Sequence, residues 1–162
     1  MACKYLDESW SPKFIVITAV KRHHTRFFQL KSPDNVPPGT VIDNEVCHPR
    51  HNDFYKCAHA APIGTLRPVH YHVLLDEIGF PVYELQELVH SLSYVYQRGH
   101  SAISDVAPVR YARLLAAQML EVISSDEMPK ASRDGGSASS GWSPLQGLPK
   151  LHGNVCNSMF FC

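Results

Sequence analysis

The first half of the chain carries hydrophobic patterns typical of β-strands. Residues 14–20 (FIVITAV) are rich in β-branched side chains and apolar on both faces, which predicts a strand at the centre of a sheet. Residues 69–75 alternate, so that His70 and His72 lie on one face of a strand and apolar side chains lie on the other. Two shorter strands are predicted at residues 40–43 and 54–58.

The second half carries helical patterns instead. Pro81 suits the first turn of a helix that continues to about residue 97. The apolar stripe of this helix is formed by Leu85, Leu88, Leu92 and Val95. A second helix is predicted over residues 108–124. Strands followed by helices indicate an α/β domain.

The boundaries of this domain follow from changes in composition. Residues 3–10 resemble the last turns of a helix that Pro12 ends, and the domain is predicted to extend over residues 1–125. Residues 126–147 are rich in glycine and serine, which predicts a flexible excursion. Residues 148–162 regain apolar side chains, as expected of a tail that docks on the domain.

Composition narrows the class of protein. Apolar residues make up 44% and charged residues 19% of the chain, which is a globular balance. Fifteen basic and fifteen acidic side chains leave no formal net charge, so only local clustering could favour nucleic acid. Five cysteines without a Cys-x-x-Cys pair favour a reducing compartment. No apolar run predicts a signal peptide or a membrane span.

One segment is locally basic. No acidic residue occurs between Glu8 and Asp34. The same stretch holds Lys13, Lys21, Arg22, Arg26 and Lys31, together with His23 and His24. Such a cluster after a strand can bind phosphates without reading base sequence. The alternative is a solvated loop with ordinary surface charges, because short basic runs are common.

Several phrases of the sequence resemble a known family. They are residues 21–26 (KRHHTR), 37–40 (PPGT), 53–59 (DFYKCAH) and 64–72 (GTLRPVHYH). Together they resemble the second half of the PIWI domain of Argonaute proteins, the guide-RNA-loaded silencing factors. Residues 85–98 and the ending NSMFFC look most like the plant nuclear clade that directs DNA methylation.

The resemblance implies a fold and a location. It extends over nearly the whole chain and implies a partial ribonuclease-H-like (PIWI) α/β fold, a mixed sheet with flanking helices. The opening strands of that sheet are expected before Met1, which would leave an unpaired edge. The family also implies a location in the nucleus and cytoplasm.

The resemblance further implies residues that bind the backbone of a small guide RNA paired with a target RNA. They are Lys21, Arg22, His23, Arg26, His59, Thr65, Arg67, Arg98 and Ser104, and the Cys162 carboxylate is expected near the guide 5′ phosphate. Such contacts set affinity rather than sequence preference. Arg98 could instead be a helix C-terminal cation, and His59 a core histidine.

The chain departs from the family at the catalytic residues, and this departure implies no catalysis. In slicing members, carboxylates hold two magnesium ions and a histidine completes the set. The carboxylates are expected before Met1, and the histidine position in the phrase Tyr-Ala-His-Leu is occupied here by Arg113. A guanidinium stays protonated and has no lone pair for a metal. No slicing activity and no cofactor are therefore expected.

Two further departures from the family lie nearby. Asp105 stands where the family has an apolar residue, in a segment expected to be buried, and Arg110 replaces a small or aromatic residue. An unpaired buried carboxylate is costly. Arg110 or Arg113 could pair with Asp105, or the changes could reflect relaxed constraint.

The residues allow three other functions. A zinc site could draw on Cys47, His48, His51, Cys57, His59, His70 and His72, although their spacing fits structural zinc poorly. A protein-interaction module for Gly-Trp partner proteins is implied by the family, whose pocket would include Leu6, Asp7 and Trp10. A Cys47–His48 nucleophile pair is disfavoured, because an extended chain points neighbours to opposite faces.

Overall fold

The computed structural model describes residues 9–61, 63–126, 152–155 and 158–160. The chain divides into two compact units, Met1–Ala107 and Pro108–Cys162. The helix end predicted at residues 3–10 lies almost wholly outside the described residues. The same holds for the excursion at residues 126–147 and for most of the tail at residues 148–162.

A four-stranded antiparallel sheet forms the framework of the first unit. Its strands are β1 (Ile15–Val20), β2 (Thr40–Ile42), β3 (Asp53–Cys57) and β4 (Val69–Asp76). Their order across the sheet is β1-β4-β3-β2, and all three pairings are antiparallel. The structure thus confirms strands at all four predicted places.

The position of β1 differs from the prediction of a central strand. Within the described sheet β1 pairs only with β4, so it forms one edge, and Val16 and Val20 are exposed. Apolar side chains on both faces made the segment resemble a buried strand. An uncharged edge strand with unpaired backbone groups is a place where another strand can add.

The alternation of β3 and β4 separates two faces of the sheet. On one face Phe54 stacks on Tyr71 with ring centroids 5.4 Å apart, and both side chains are buried. On the other face Tyr55 stacks on His70 at 4.2 Å, and both remain partly accessible. The predicted placement of His70 and His72 opposite the apolar residues of β4 is therefore confirmed.

Two helices follow the sheet. Helix α1 (Val82–Leu92) begins after Pro81, and helix α2 (Ala107–Asp126) begins one residue before its predicted start. Gln86 of α1 donates a 2.8 Å hydrogen bond to the Asp43 carboxylate, which lies just after β2. No helix in the described part of the chain is long and apolar enough to cross a membrane.

Helix α1 ends five residues earlier than predicted. The Ser93 hydroxyl and backbone N–H both donate to the His90 carbonyl, at 2.6 Å and 3.0 Å, and this tightens the last turn. The Ser93 carbonyl then accepts from the Ile103 N–H across a loop. The buried side of α1 is Leu85 and Val89, whereas Leu88 is 38% exposed, so the predicted stripe was only partly correct.

Lys56 is the most unusual residue of the core. It lies at the centre of the sheet, between Val41 of β2 and Val69 of β4, and is only 1% exposed. Its ammonium nitrogen is buried and has no hydrogen-bond partner among the described residues. Burial lowers the pKa of Lys56 from 10.5 to about 8, because a charge without a partner is costly away from water.

This lowered pKa predicts a pH-dependent stability. Between pH 10.5 and about 8, Lys56 is protonated in the unfolded chain but largely neutral in the folded protein, so the free energy of unfolding falls as the pH falls. Below a pH of about 8 both states are protonated, and the loss of stability is complete. We expect Lys56→Met to raise the free energy of unfolding at pH 7 by about 3 kcal/mol. The pH-dependent part of this advantage should disappear as the pH rises above 10.5, where the amine becomes neutral in both states.

Denaturant unfolding of both proteins from pH 6 to 11 measures this difference. Comparing the two proteins cancels the opposite effect of the Cys57 thiol, whose pKa burial raises to about 11. Lys13→Met removes an exposed lysine and should leave stability nearly unchanged. A pH-independent difference between Lys56→Met and the native protein would contradict the assignment.

Candidate nucleic-acid interface

The register of β1 on β4 places the basic segment. Val20 pairs with His70, so the residues that follow β1 lie beside those that precede β4. The His23 ring makes a 3.0 Å hydrogen bond through Nε2 to the Pro68 carbonyl. It also meets the edge of Tyr55 at 5.5 Å. The loop after β1 is thereby held against Arg67.

The backbone of this loop is braced by its own arginine. Arg26 Nη1 donates to the carbonyl of Thr25 at 2.6 Å and to that of His23 at 3.1 Å. Phe27 then packs edge-on against Tyr55 at 5.4 Å. The loop is thus folded onto one face of the sheet, and Arg22 and His24 are left exposed.

A small cavity forms where the loop meets Arg67. It has a volume of about 180 Å³, and every residue that lines it is basic or imidazole-bearing. The lining residues are Arg22, His23, His24, Arg26 and Arg67. A cluster of guanidinium groups without a carboxylate suits a phosphate group, because arginine can donate two parallel hydrogen bonds to two of its oxygens.

The loop that carries Arg67 is itself fixed from across the fold. The Asn35 side chain donates to the carbonyls of Ala61 and Gly64 at 3.2 Å and 2.8 Å and accepts from the Leu66 N–H at 2.8 Å. One amide therefore holds both ends of the segment before Arg67. Sequence analysis missed Asn35, because its partners lie up to 31 residues away.

A second polar group lies next to the end of β1. Lys21 Nζ donates to Ser104 Oγ at 2.6 Å and lies 3.1 Å from Asp105 Oδ2. Burial lowers the pKa of His59, the charge of Lys21 lowers it further, and that of Asp105 raises it. The structure thus brings Lys21 and Ser104, two of the predicted contacts, into direct contact and gives Asp105 a basic partner in Lys21. His59 lies near enough for both charges to act on its pKa.

The remaining predicted contacts are not brought into either group. Thr65 and Arg98 are exposed in loops, and the described residues give them no part in the cavity beside Arg67. Cys162 lies outside the described residues. The structure therefore gathers the predicted residues into two neighbouring groups rather than one continuous row.

A larger cavity, of about 560 Å³, has the opposite character. Asp43, Glu45 and Asp53 line it together with Cys47 and His48. Three carboxylates make this cavity unsuitable for a polyanion, although it is three times larger. Charge rather than size therefore selects the smaller cavity as the candidate interface.

Asp53 joins two strands and a loop. Its carboxylate lies 2.7 Å from His70 Nε2 and accepts from the His48 backbone N–H at 2.8 Å. Burial acts to raise the pKa of Asp53, but these hydrogen bonds and the charges of His70 and His72 hold it below its ordinary value. Sequence analysis missed this pair, which the shared face of β3 and β4 could have indicated.

The described residues give little support to a zinc site or to a cysteine nucleophile. Among the residues that the structure describes, no group of three or more His, Cys, Asp or Glu side chains is placed to hold a metal ion. The Cys47 thiol points to the Ile42 carbonyl at 3.4 Å. Burial and the charges of Asp53 and Asp43 raise its pKa, which is the opposite of an activated nucleophile.

Comparison with known sequences identifies the family. The Piwi domain family matches residues 1–124. The chain is 63% identical over 162 residues to protein argonaute 4A of Oryza sativa subsp. japonica, with 99% of this chain and 18% of the relative covered. It is 60% identical to protein argonaute 4 of Arabidopsis thaliana over the same shares. The chain thus spans about one fifth of the length of these relatives.

Solved structures give the same answer for the fold. The C-terminal lobe of a budding yeast Argonaute superposes with a TM-score of 0.66 at 29% identity, covering 80% of this chain and 30% of that one. The Kluyveromyces polysporus Argonaute, solved with a guide RNA, gives 0.65 at 32% identity, covering 72% and 16%. The expected partial ribonuclease-H-like fold is confirmed, and the chain belongs to the Piwi domain family.

Proposed function

We propose that this chain binds the sugar-phosphate backbone of a small guide RNA, or of its target, in RNA-mediated gene silencing. The observation that supports the proposal is the cavity lined only by Arg22, His23, His24, Arg26 and Arg67. The family match and the guide RNA bound by the Kluyveromyces relative point in the same direction.

The geometry favours backbone contacts over base recognition. Arg22, His24 and Arg67 are exposed. The His23 ring is held by its hydrogen bond to the Pro68 carbonyl, and Arg26 is held by its bonds to the carbonyls of Thr25 and His23. Exposed guanidinium groups on a braced loop can meet phosphate oxygens of any sequence. Of the other predicted contacts, Thr65, Arg98 and the Cys162 carboxylate remain part of this proposal, and Lys21, His59 and Ser104 belong to the separate polar group at the end of β1.

We also propose that the chain does not cleave RNA. Arg113 occupies the position at which the resemblance places the catalytic histidine. The family's magnesium ions need several carboxylates within coordinating distance of one point, and no three acidic, histidine or cysteine side chains of the described residues are so placed, those of the larger cavity included. The described residues therefore do not fit the magnesium site.

Binding of Gly-Trp proteins is the weaker alternative. Of the three residues implied for that pocket, Leu6 and Asp7 lie outside the described residues, and Trp10 is exposed. An exposed indole can dock a partner, but the structure adds no second wall to the pocket. Titration of the chain into a dye-labelled Gly-Trp peptide, followed by the anisotropy of the dye, would separate this function from RNA binding.

The RNA-binding proposal predicts a specific loss of affinity. Arg22→Gln combined with Arg67→Gln should weaken binding of a fluorescent single-stranded RNA roughly tenfold at low salt. The slope of log affinity against log salt should fall by about 1.4, since each phosphate contact on single strands contributes about 0.7. Both side chains are exposed, so folding should be unaffected.

A matched control removes the same charge elsewhere. Lys13→Gln combined with Arg50→Gln also deletes two exposed cations, but neither lines the basic cavity. This control should retain most of the affinity and the salt slope. Equal losses in the two double variants would indicate non-specific attraction and contradict the assignment of the cavity.

The absence of slicing predicts a negative result that can be checked. Incubation of the chain with a guide–target duplex and magnesium or manganese should give no cleavage above the buffer rate. Arg113→His should not restore cleavage, because one imidazole does not replace the carboxylates that hold the metal. Divalent-dependent cleavage that persists through repeated purification would contradict the proposal.

A further inference from the structure

The polar group at the end of β1 contains a contact that bears on RNA affinity. Lys21 Nζ lies 3.1 Å from Asp105 Oδ2 and donates to Ser104 Oγ at 2.6 Å. The Lys21 side chain is 29% exposed, whereas that of Asp105 is 2% exposed. The Lys21 side chain is therefore partly open to solvent, and its counter-ion is buried beside it.

The donors around Asp105 are those that a phosphate would use. Lys21 offers an ammonium group, and the Ser104 hydroxyl still has its own proton to donate. His59 lies close enough for the charges of Lys21 and Asp105 to act on its pKa. Without Asp105, Lys21 and Ser104 would form an anion site near His59, open to the solvent along the Lys21 side chain.

The charge of Asp105 changes that site. A buried carboxylate is little screened by salt, so it offsets the charge of Lys21 at the place where a phosphate would approach. A phosphate that reached Lys21 would meet the negative charge of Asp105 within the same group of donors. The cavity beside Arg67 has no such carboxylate in its lining.

We propose that the Asp105 carboxylate is a built-in occupant of an anion site formed by Lys21 and Ser104, near His59, and that it competes there with an RNA phosphate. This inference rests on the proposed function. It assigns phosphate binding in the native chain mainly to the cavity beside Arg67. The Lys21 group becomes available only when the carboxylate is neutralised.

A positioning role for Asp105 would give the opposite result. If the carboxylate served only to aim Lys21 at RNA, removing its charge would weaken binding, because Lys21 would lose its orientation. If it competes with phosphate, removing its charge strengthens binding. The sign of the effect therefore separates the two roles.

The test compares RNA affinity in Asp105→Asn with that of the native chain. The amide keeps the size of the side chain and an oxygen that can accept from Lys21, so the fold should persist, which thermal unfolding would verify. We expect affinity for single-stranded RNA to rise roughly fivefold, the scale of one partly exposed charge interaction. The salt slope should steepen by about 0.7, as for one added phosphate contact.

Two further variants localise the effect. Lys21→Gln combined with Asp105→Asn should return the affinity to the native value or below, because the gain comes from Lys21. Glu45→Gln removes an exposed acid after β2, at the opposite edge of the sheet, and should change the affinity less than twofold. A fivefold gain in Glu45→Gln as well would show a general charge effect and overturn the inference.

A measurement without RNA keeps the inference separate from the proposed function. Inorganic phosphate is titrated while the NMR signals of the His59 ring are followed. Asp105→Asn should show a saturable shift that the native chain lacks. RNA binding by the native chain without any gain in Asp105→Asn overturns the inference alone. No phosphate response in the variant also overturns it, whereas loss of RNA binding by every protein contradicts only the proposed function.

Discussion

The antiparallel register of β4 is the constraint on which the candidate interface depends. β4 pairs with β1 on one side and with β3 on the other, and Val20 stands opposite His70. The residues after β1 must therefore meet those before β4. The His23–Pro68 hydrogen bond fixes that meeting, and the basic cavity follows from it.

A chain without net charge can still bind a polyanion if its charges are separated in space. Here the residues that line the cavity beside Arg67 are all basic, whereas the larger cavity near β2 contains Asp43, Glu45 and Asp53. The two cavities lie in one compact unit but suit opposite ligands. Lys21 differs from the residues of both cavities, because its positive charge is already paired with the Asp105 carboxylate inside the fold.

The sequence alone predicted much of the framework, because period-two alternation and β-branched runs determine strands locally. The strands, the start of α1 and the basic loop were predicted for that reason. The edge position of β1 could not be inferred, because pairing depends on the rest of the sheet rather than on the pattern of one strand. The early end of α1 depends on the Ser93 hydroxyl, which takes the His90 carbonyl as its hydrogen-bond acceptor in place of a later backbone N–H of the helix. The spacing of apolar residues carries no information about such a contact.

The candidate site was predictable to a similar degree. The resemblance identified the residues of the basic loop and Arg67, but it could not show that they form a cavity separate from Lys21. Asp105 was noticed as a departure from the family, yet its contact with Lys21 joins residues 84 positions apart and needed the fold. The burial of Lys56 could not be predicted, because a single lysine in a short strand resembles an ordinary surface residue and only three-dimensional packing shows that it is buried.

The central claim is that the cavity between the loop after β1 and Arg67 is where RNA binds. Chemical-shift mapping of the labelled chain with a short single-stranded RNA tests it most directly. The account predicts shifts concentrated at residues 22–26 and at Arg67, with little change at the carboxylates near β2. Shifts centred on Asp43, Glu45 and Asp53, or no shifts at saturating RNA, would contradict it.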